Sequence, residues 1–150
     1  MRVLLIEDKS GDVLFIQEQL TVMRRGEWEL ESVSRLSAGL KRLARGGVDV
    51  LLIDLGLPDS QGLDTLRRVR AQEPDLPIVV LTGNADDALG LQAIREGAQE
   101  FLRKQEVRGP WLVRALQLAI QQGSRSDEET EATSLASIEL GVALAGKLSP

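Results

Sequence analysis

The stretch Val48-Asp49-Val50-Leu51-Leu52-Ile53-Asp54-Leu55-Gly56-Leu57-Pro58 limits most tightly what this chain can fold into. A near-continuous apolar run is stopped by one acid and followed by a Gly-Pro turn. Apolar runs without alternation suit strands buried on both faces, as in a parallel sheet packed between helices. A carboxylate at the carboxyl end of such a strand lies where open α/β sheets place their ligands. The rest of the chain is read for what could gather around Asp54.

Strand and helix patterns alternate five times. Arg2–Ile6 is a first buried strand, ended by Glu7-Asp8. Ser10 is positioned to cap a helix whose apolar stripe is Val13, Leu14, Ile16 and Leu20. Residues 29–34 alternate more and read as an edge strand. Leu36, Leu40 and Leu43 mark a second helix, ended by Gly46-Gly47. After the Asp54 strand, a turn over residues 58–62 leads to a third helix with Leu63, Leu66 and Val69 inside and Arg67, Arg68 and Arg70 on its wet side. Residues 77–81 form a fourth strand, stopping at Thr82-Gly83. Asn84 with Asp87 resembles a capping pair opening a fourth helix, through Leu89, Ala93 and Ile94 to Gly97. Residues 100–103 are a short fifth strand with Lys104 at its end. Pro110 lies just inside the start of a fifth helix. Strict alternation predicts an α/β fold with a five-stranded parallel, doubly wound sheet, five helices and right-handed crossovers.

The 150 residues, 43% of them hydrophobic, suit one domain plus a short extension. The domain is expected over residues 1–122. Residues 123–150 then read as an acidic linker and either a frayed tail or a short amphipathic helix, with Leu135, Ile138, Val142 and Ala145 at helical spacing. A net charge of −5 argues against a nucleic-acid surface. No apolar run approaches membrane-spanning length, so a cytoplasmic protein is expected. The chain has no cysteine and no histidine, which leaves carboxylates, hydroxyls and lysine for any chemistry.

In a parallel sheet the ends of the first, third, fourth and fifth strands share one edge. Glu7-Asp8, Asp54, Thr82 and Lys104 can therefore converge although distant in sequence. Close carboxylates repel one another unless a cation sits among them, and hard oxygen ligands of this kind suit Mg²⁺. A hydroxyl and an ammonium are good donors to an anion bound beside the metal, such as a phosphoryl group. Asp can act as a nucleophile forming an aspartyl phosphate, and Asp54 leads for that role. Taken singly, each residue fits a solvated strand end, a turn or a surface charge. Their conjunction at corresponding strand ends favours a site.

These segments resemble the receiver domain of two-component response regulators. The resemblance rests on LLIED at 4–8, DVLLIDLGLPDSQGLD at 49–64, PIVVLTG at 77–83 and GAQEFLRK at 97–104. It implies the flavodoxin-like (CheY-like) strand order 2-1-3-4-5. It also implies Asp54 as phosphoacceptor, Asp8 as a direct Mg²⁺ ligand, Glu7 as its companion through water, and the Gly56 carbonyl as a further ligand. By the same resemblance Thr82 is the switch hydroxyl, Lys104 the phosphate-binding cation and Phe101 the aromatic that changes rotamer. Pro58 and Gly62 match the turn after the acceptor strand. One departure stands out: the family places Pro after the Lys, often with a cis peptide, whereas Gln105 stands here. A cis bond before a non-proline residue costs about 2.5–4 kcal/mol, so trans is expected.

The resemblance implies a signalling module rather than a turnover enzyme, assisting its own phosphotransfer and autodephosphorylation. With no histidine in the chain, the donor would be a separate histidine kinase or histidine phosphotransfer protein. The recipient would be a downstream effector protein or domain, and two copies of the chain could pair. Two readings compete. One is a receiver fold acting as an interaction module without phosphorylation. The other is an aspartate-nucleophile phosphatase of the haloacid-dehalogenase type, but Gly56 stands where that chemistry needs a second acid. A flavin carrier on the same sheet order lacks a hydroxyl- and Gly-rich first loop.

Overall fold

A computed structural model describes residues 1–23, 27–83 and 87–123. The strands are β1 (Arg2–Ile6), β2 (Glu29–Val33), β3 (Val50–Asp54), β4 (Ile78–Thr82) and β5 (Glu100–Arg103). The helices are α1 (Ser10–Met23), α2 (Leu36–Ala44), α3 (Leu63–Gln72), α4 (Asp87–Arg95) and α5 (Gly109–Gly123). All five strands are parallel, in the order β2-β1-β3-β4-β5. This is the flavodoxin-like order expected from the sequence.

The unbroken apolar runs divide by parity. Leu4, Ile6, Leu51, Ile53, Ile78 and Val80 pack on one face with α2, α3 and α4. Val3, Leu5, Val50, Leu52, Val79 and Leu81 pack on the other with α1 and α5. Successive side chains on a strand point to opposite faces, so each central strand needs apolar residues at every position. β2 lies at one edge, with only partly covered positions, and keeps its alternating character.

Four expectations need correction. β4 runs one residue further than expected, so Thr82 is part of the strand rather than just past it. Ser10 is the first residue of α1 rather than its cap. On α1, Ile16 and Leu20 are buried, but Leu14 is 60% exposed and leaves the core stripe. Arg70 is not on the wet side of α3. Its guanidinium turns inward and donates to the carbonyls of Gly97, Glu73 (3.1 Å) and Leu76 (2.6 Å) and to Gln99 Oε1 (3.0 Å). Gln99 Oε1 also accepts from the Ile78 amide at 2.7 Å. One arginine thus ties together the chain entering β4 and the chain entering β5.

Asn84 and residues 124–150 lie outside the described residues, and with them the expected cap of α4 and the expected linker and amphipathic helix. Asp87, the other half of that cap, pairs bidentately with Arg103 at 2.6 and 3.0 Å. Among the described residues no helix is long and apolar enough to cross a membrane.

Candidate functional site

The parallel sheet delivers the ends of β1, β3, β4 and β5 to one edge. Glu7 directly follows β1. Its amide bonds to the Val33 carbonyl at 3.0 Å, extending the strand by one residue and turning the side chain inward. Glu7 is 1% exposed, whereas Asp8 beside it is open to solvent. Asp54 ends β3; its Oδ1 accepts from the Gly56 amide at 3.0 Å. Lys104 begins a short 3-10 turn immediately after β5.

Lys104 brings these groups together. Its ammonium donates to Asp54 Oδ2 at 2.8 Å and to Asp12 Oδ2 at 3.2 Å, and sits 2.5 Å from Glu7 Oε1. That last contact is an ion pair made by a buried carboxylate oxygen. The other Glu7 oxygen accepts from the Asp8 amide at 3.0 Å. One carboxylate oxygen from each of Glu7, Asp8 and Asp54 lies within 4.8 Å of the others.

The electrostatics follow from this crowding. Burial pushes the Glu7 carboxyl up to about 8; Lys104 works against that shift and Asp54 reinforces it. Burial alone would lower Lys104, but its bonds to Asp54 and Glu7 outweigh it and hold the ammonium above its usual value. One ammonium thus meets Glu7, Asp12 and Asp54, with Asp8 beside two of them, and this crowding disfavours a further negative charge on the buried Glu7. The donor set is all oxygen, three carboxylates close together, and fits Mg²⁺ better than a softer ion.

Thr82 lies one residue beyond Leu81, the register partner of Asp54. It is 2% exposed, and its hydroxyl is buried with no partner among the described residues. Phe101 pairs in register with Val80, so it shares a sheet face with Thr82. Its ring is buried against Gly90 of α4, where an added Cβ would collide with the ring carbons. Gly62, with φ +65, closes the loop after Asp54 by donating to the Leu55 carbonyl at 2.7 Å. Pro58 lies between two short paired segments, in which Gly56 faces Gln61 and Leu57 faces Ser60. No cis peptide occurs among the described residues, so the bond before Gln105 is trans as expected.

Two acids at this edge were not singled out from the sequence. Asp12, in the first turn of α1, reaches Lys104; its place at the start of the helix after Glu7-Asp8 was the available signal. Asp59, in the loop after Asp54, accepts from the amides of Leu36 and Ser37 at 2.8 and 2.9 Å. It thereby caps α2, whose own preceding residue, Arg35, supplies no side-chain cap.

Comparison with known proteins agrees with this geometry. The family model described as the response regulator receiver domain matches residues 3–116. The regulatory protein LuxO of Vibrio cholerae is 31% identical over 100 residues, covering 67% of this chain and 21% of that protein. The transcriptional regulatory protein BasR of Escherichia coli is 29% identical over 104 residues, covering 69% of this chain and 46% of that protein. The chain therefore spans less than half the length of either relative. A solved receiver domain protein from Clostridium thermocellum superposes with a TM-score of 0.71 at 29% identity, covering 81% of this chain and 94% of that one. Matched along most of its length and folded in the same strand order, this chain belongs to the receiver domain family of two-component response regulators.

Proposed function

We propose that residues 1–122 accept a phosphoryl group on Asp54 and report it through a change in the face built by α4, β5 and α5. Receiver domains are signalling modules that bind Mg²⁺ at an acidic pocket, and Glu7, Asp8 and Asp54 are an acidic cluster of that kind. The observation that carries the proposal is the Lys104 ammonium in contact with both Asp54 and Glu7 at one sheet edge. An ammonium there has a purpose for an anion that the acids alone would repel.

Asp8, Asp54 and the Gly56 carbonyl would hold the ion directly, with Glu7 acting through water. When bound, Mg²⁺ neutralises charge building on the transferred phosphoryl oxygens. Asp54 Oδ attacks phosphorus, and the donor imidazole of a histidine kinase or histidine phosphotransfer protein leaves. Lys104 exchanges its contact with Asp54 for a phosphoryl oxygen. Thr82 supplies its partnerless hydroxyl to another oxygen, and the ring of Phe101 follows on the same sheet face. A change in charge at one edge thus biases a packed element. The response is read by a downstream effector protein or domain, or by a second copy of the chain, in the cytoplasm.

Beryllofluoride with Mg²⁺ provides the test, because it mimics a bound phosphoryl group. Trp111 is partly exposed near Gln105 on the turn that carries Lys104, so its fluorescence is expected to respond. Asp54→Asn is expected to abolish the response. An equal response in that variant would overturn Asp54 as acceptor, and no response in the unaltered protein would favour the phosphorylation-independent interaction module.

A further inference from the structure

The side of Asp54 that faces solvent is not bare. Gly56, two residues on, is paired across a short antiparallel ladder with Gln61. The amide nitrogen of Gln61 donates to the Leu57 carbonyl at 2.6 Å, which fixes which end of the carboxamide is which. Its oxygen is left to turn the other way. A Cβ placed on Gly56 would lie 3.8 Å from Gln61 Oε1 and 3.9 Å from Asp54 Oδ1. Both oxygens therefore border one spot beside Gly56, which carries no side chain to fill it. Both Gly56 and Gln61 are exposed, so water reaches the space.

We propose that Gln61 is a catalytic residue for loss of the phosphoryl group, a role that rests on Asp54 being the acceptor. Its Oε1 accepts a hydrogen bond from the attacking water and aims that water's lone pair at phosphorus. The new bond forms between water oxygen and phosphorus, and the bond between phosphorus and Asp54 Oδ breaks. Asp54 leaves with the electron pair as a carboxylate, and both water protons depart on the released dihydrogen phosphate. Gln61 orients the water and takes no proton, so an amide suffices where a general base is absent. Positioning of a nucleophilic water by a glutamine is a known device in phosphoryl transfer. Here the carboxamide is held from its nitrogen end by the Leu57 carbonyl, which limits the reorganisation its oxygen has to make.

The test compares the unaltered protein with Gln61→Leu and Gln61→Glu. Each is loaded with acetyl phosphate and Mg²⁺, freed of donor, and followed by the decay of the aspartyl phosphate. The leucine variant is expected to hold its phosphoryl group about tenfold longer, the size of one lost hydrogen bond to the transition state. The glutamate variant keeps an acceptor and is expected to decay faster than the leucine variant. Loading rate and beryllofluoride affinity should stay the same in the leucine variant, which changes no charge at the acidic edge. Decay unchanged in Gln61→Leu would refute the role of Gln61 alone. A slower decay accompanied by equal losses in loading and beryllofluoride binding would reduce Gln61 to a support for the loop and overturn the proposal. Failure of the unaltered protein to load would refute the acceptor assignment, and the inference with it.

Discussion

Thr82 shows how a single residue can be costly until its partner arrives. Its hydroxyl is buried with no hydrogen bond, and such a group forfeits about 1–3 kcal/mol of desolvation. Valine has nearly the same shape and no hydroxyl. Thr82→Val is therefore expected to stabilise the unloaded protein by about 1 kcal/mol, a Tm rise of about 3 °C, while weakening its response to beryllofluoride. A lower Tm would mean that the hydroxyl already has a partner. The convergence of the candidate site residues could be read from the sequence because each sits where an apolar run stops, and in a parallel sheet all such stops share an edge. Arg70 could not be read that way. Periodicity located its Cα on the outer side of α3, but a long side chain can turn back to collect carbonyls from residues 73–97. Asp12 was equally hidden, because its partner Lys104 is 92 residues away.

At the scale of elements, the loop after Asp54 is fastened at several points. Asp59 binds the first amides of α2, Ser60 Oγ and Thr65 Oγ1 lie 2.7 Å apart in the interior, and Gly62 closes the loop onto Leu55. The bonds from Ser37 and then Leu36 hold the Asp59 carboxyl below its usual value of 3.8. The ionised form is thus favoured by folding. Its stabilisation is complete above 3.8 and fades as pH falls through the lowered value. Thermal melts should show Asp59→Asn less stable than the unaltered protein at neutral pH, with the gap closing in acid. A gap independent of pH would show that the charge is not what caps α2. The sequence marked residues 58–62 as a turn from Pro58 and Gly62, but not the cap. A helix is usually capped by its immediate predecessor, and here the capping acceptor is 23 residues on in the chain.

For the whole molecule, strict alternation of elements was enough to specify a parallel sheet covered on both faces, while its strand order came from the resemblance to receiver domains. Buried central strands have no polar face to offer, so each run had to be covered by helices on both sides. The two clusters divided by strand parity are the outcome. What this architecture does is to bring three carboxylates, those of Glu7, Asp12 and Asp54, to one lysine, with burial pushing the Glu7 carboxyl up to about 8. That arrangement is costly as it stands, and the proposed function has a divalent ion and an anion entering together to relieve it. Mass mapping of peptides after acetyl phosphate treatment, with Mg²⁺ and with EDTA, tests this most directly. The expected result is phosphoryl mass on the peptide containing Asp54, in the presence of Mg²⁺ only. Label at any other residue, or on Asp54 to the same extent with the metal chelated, would contradict it.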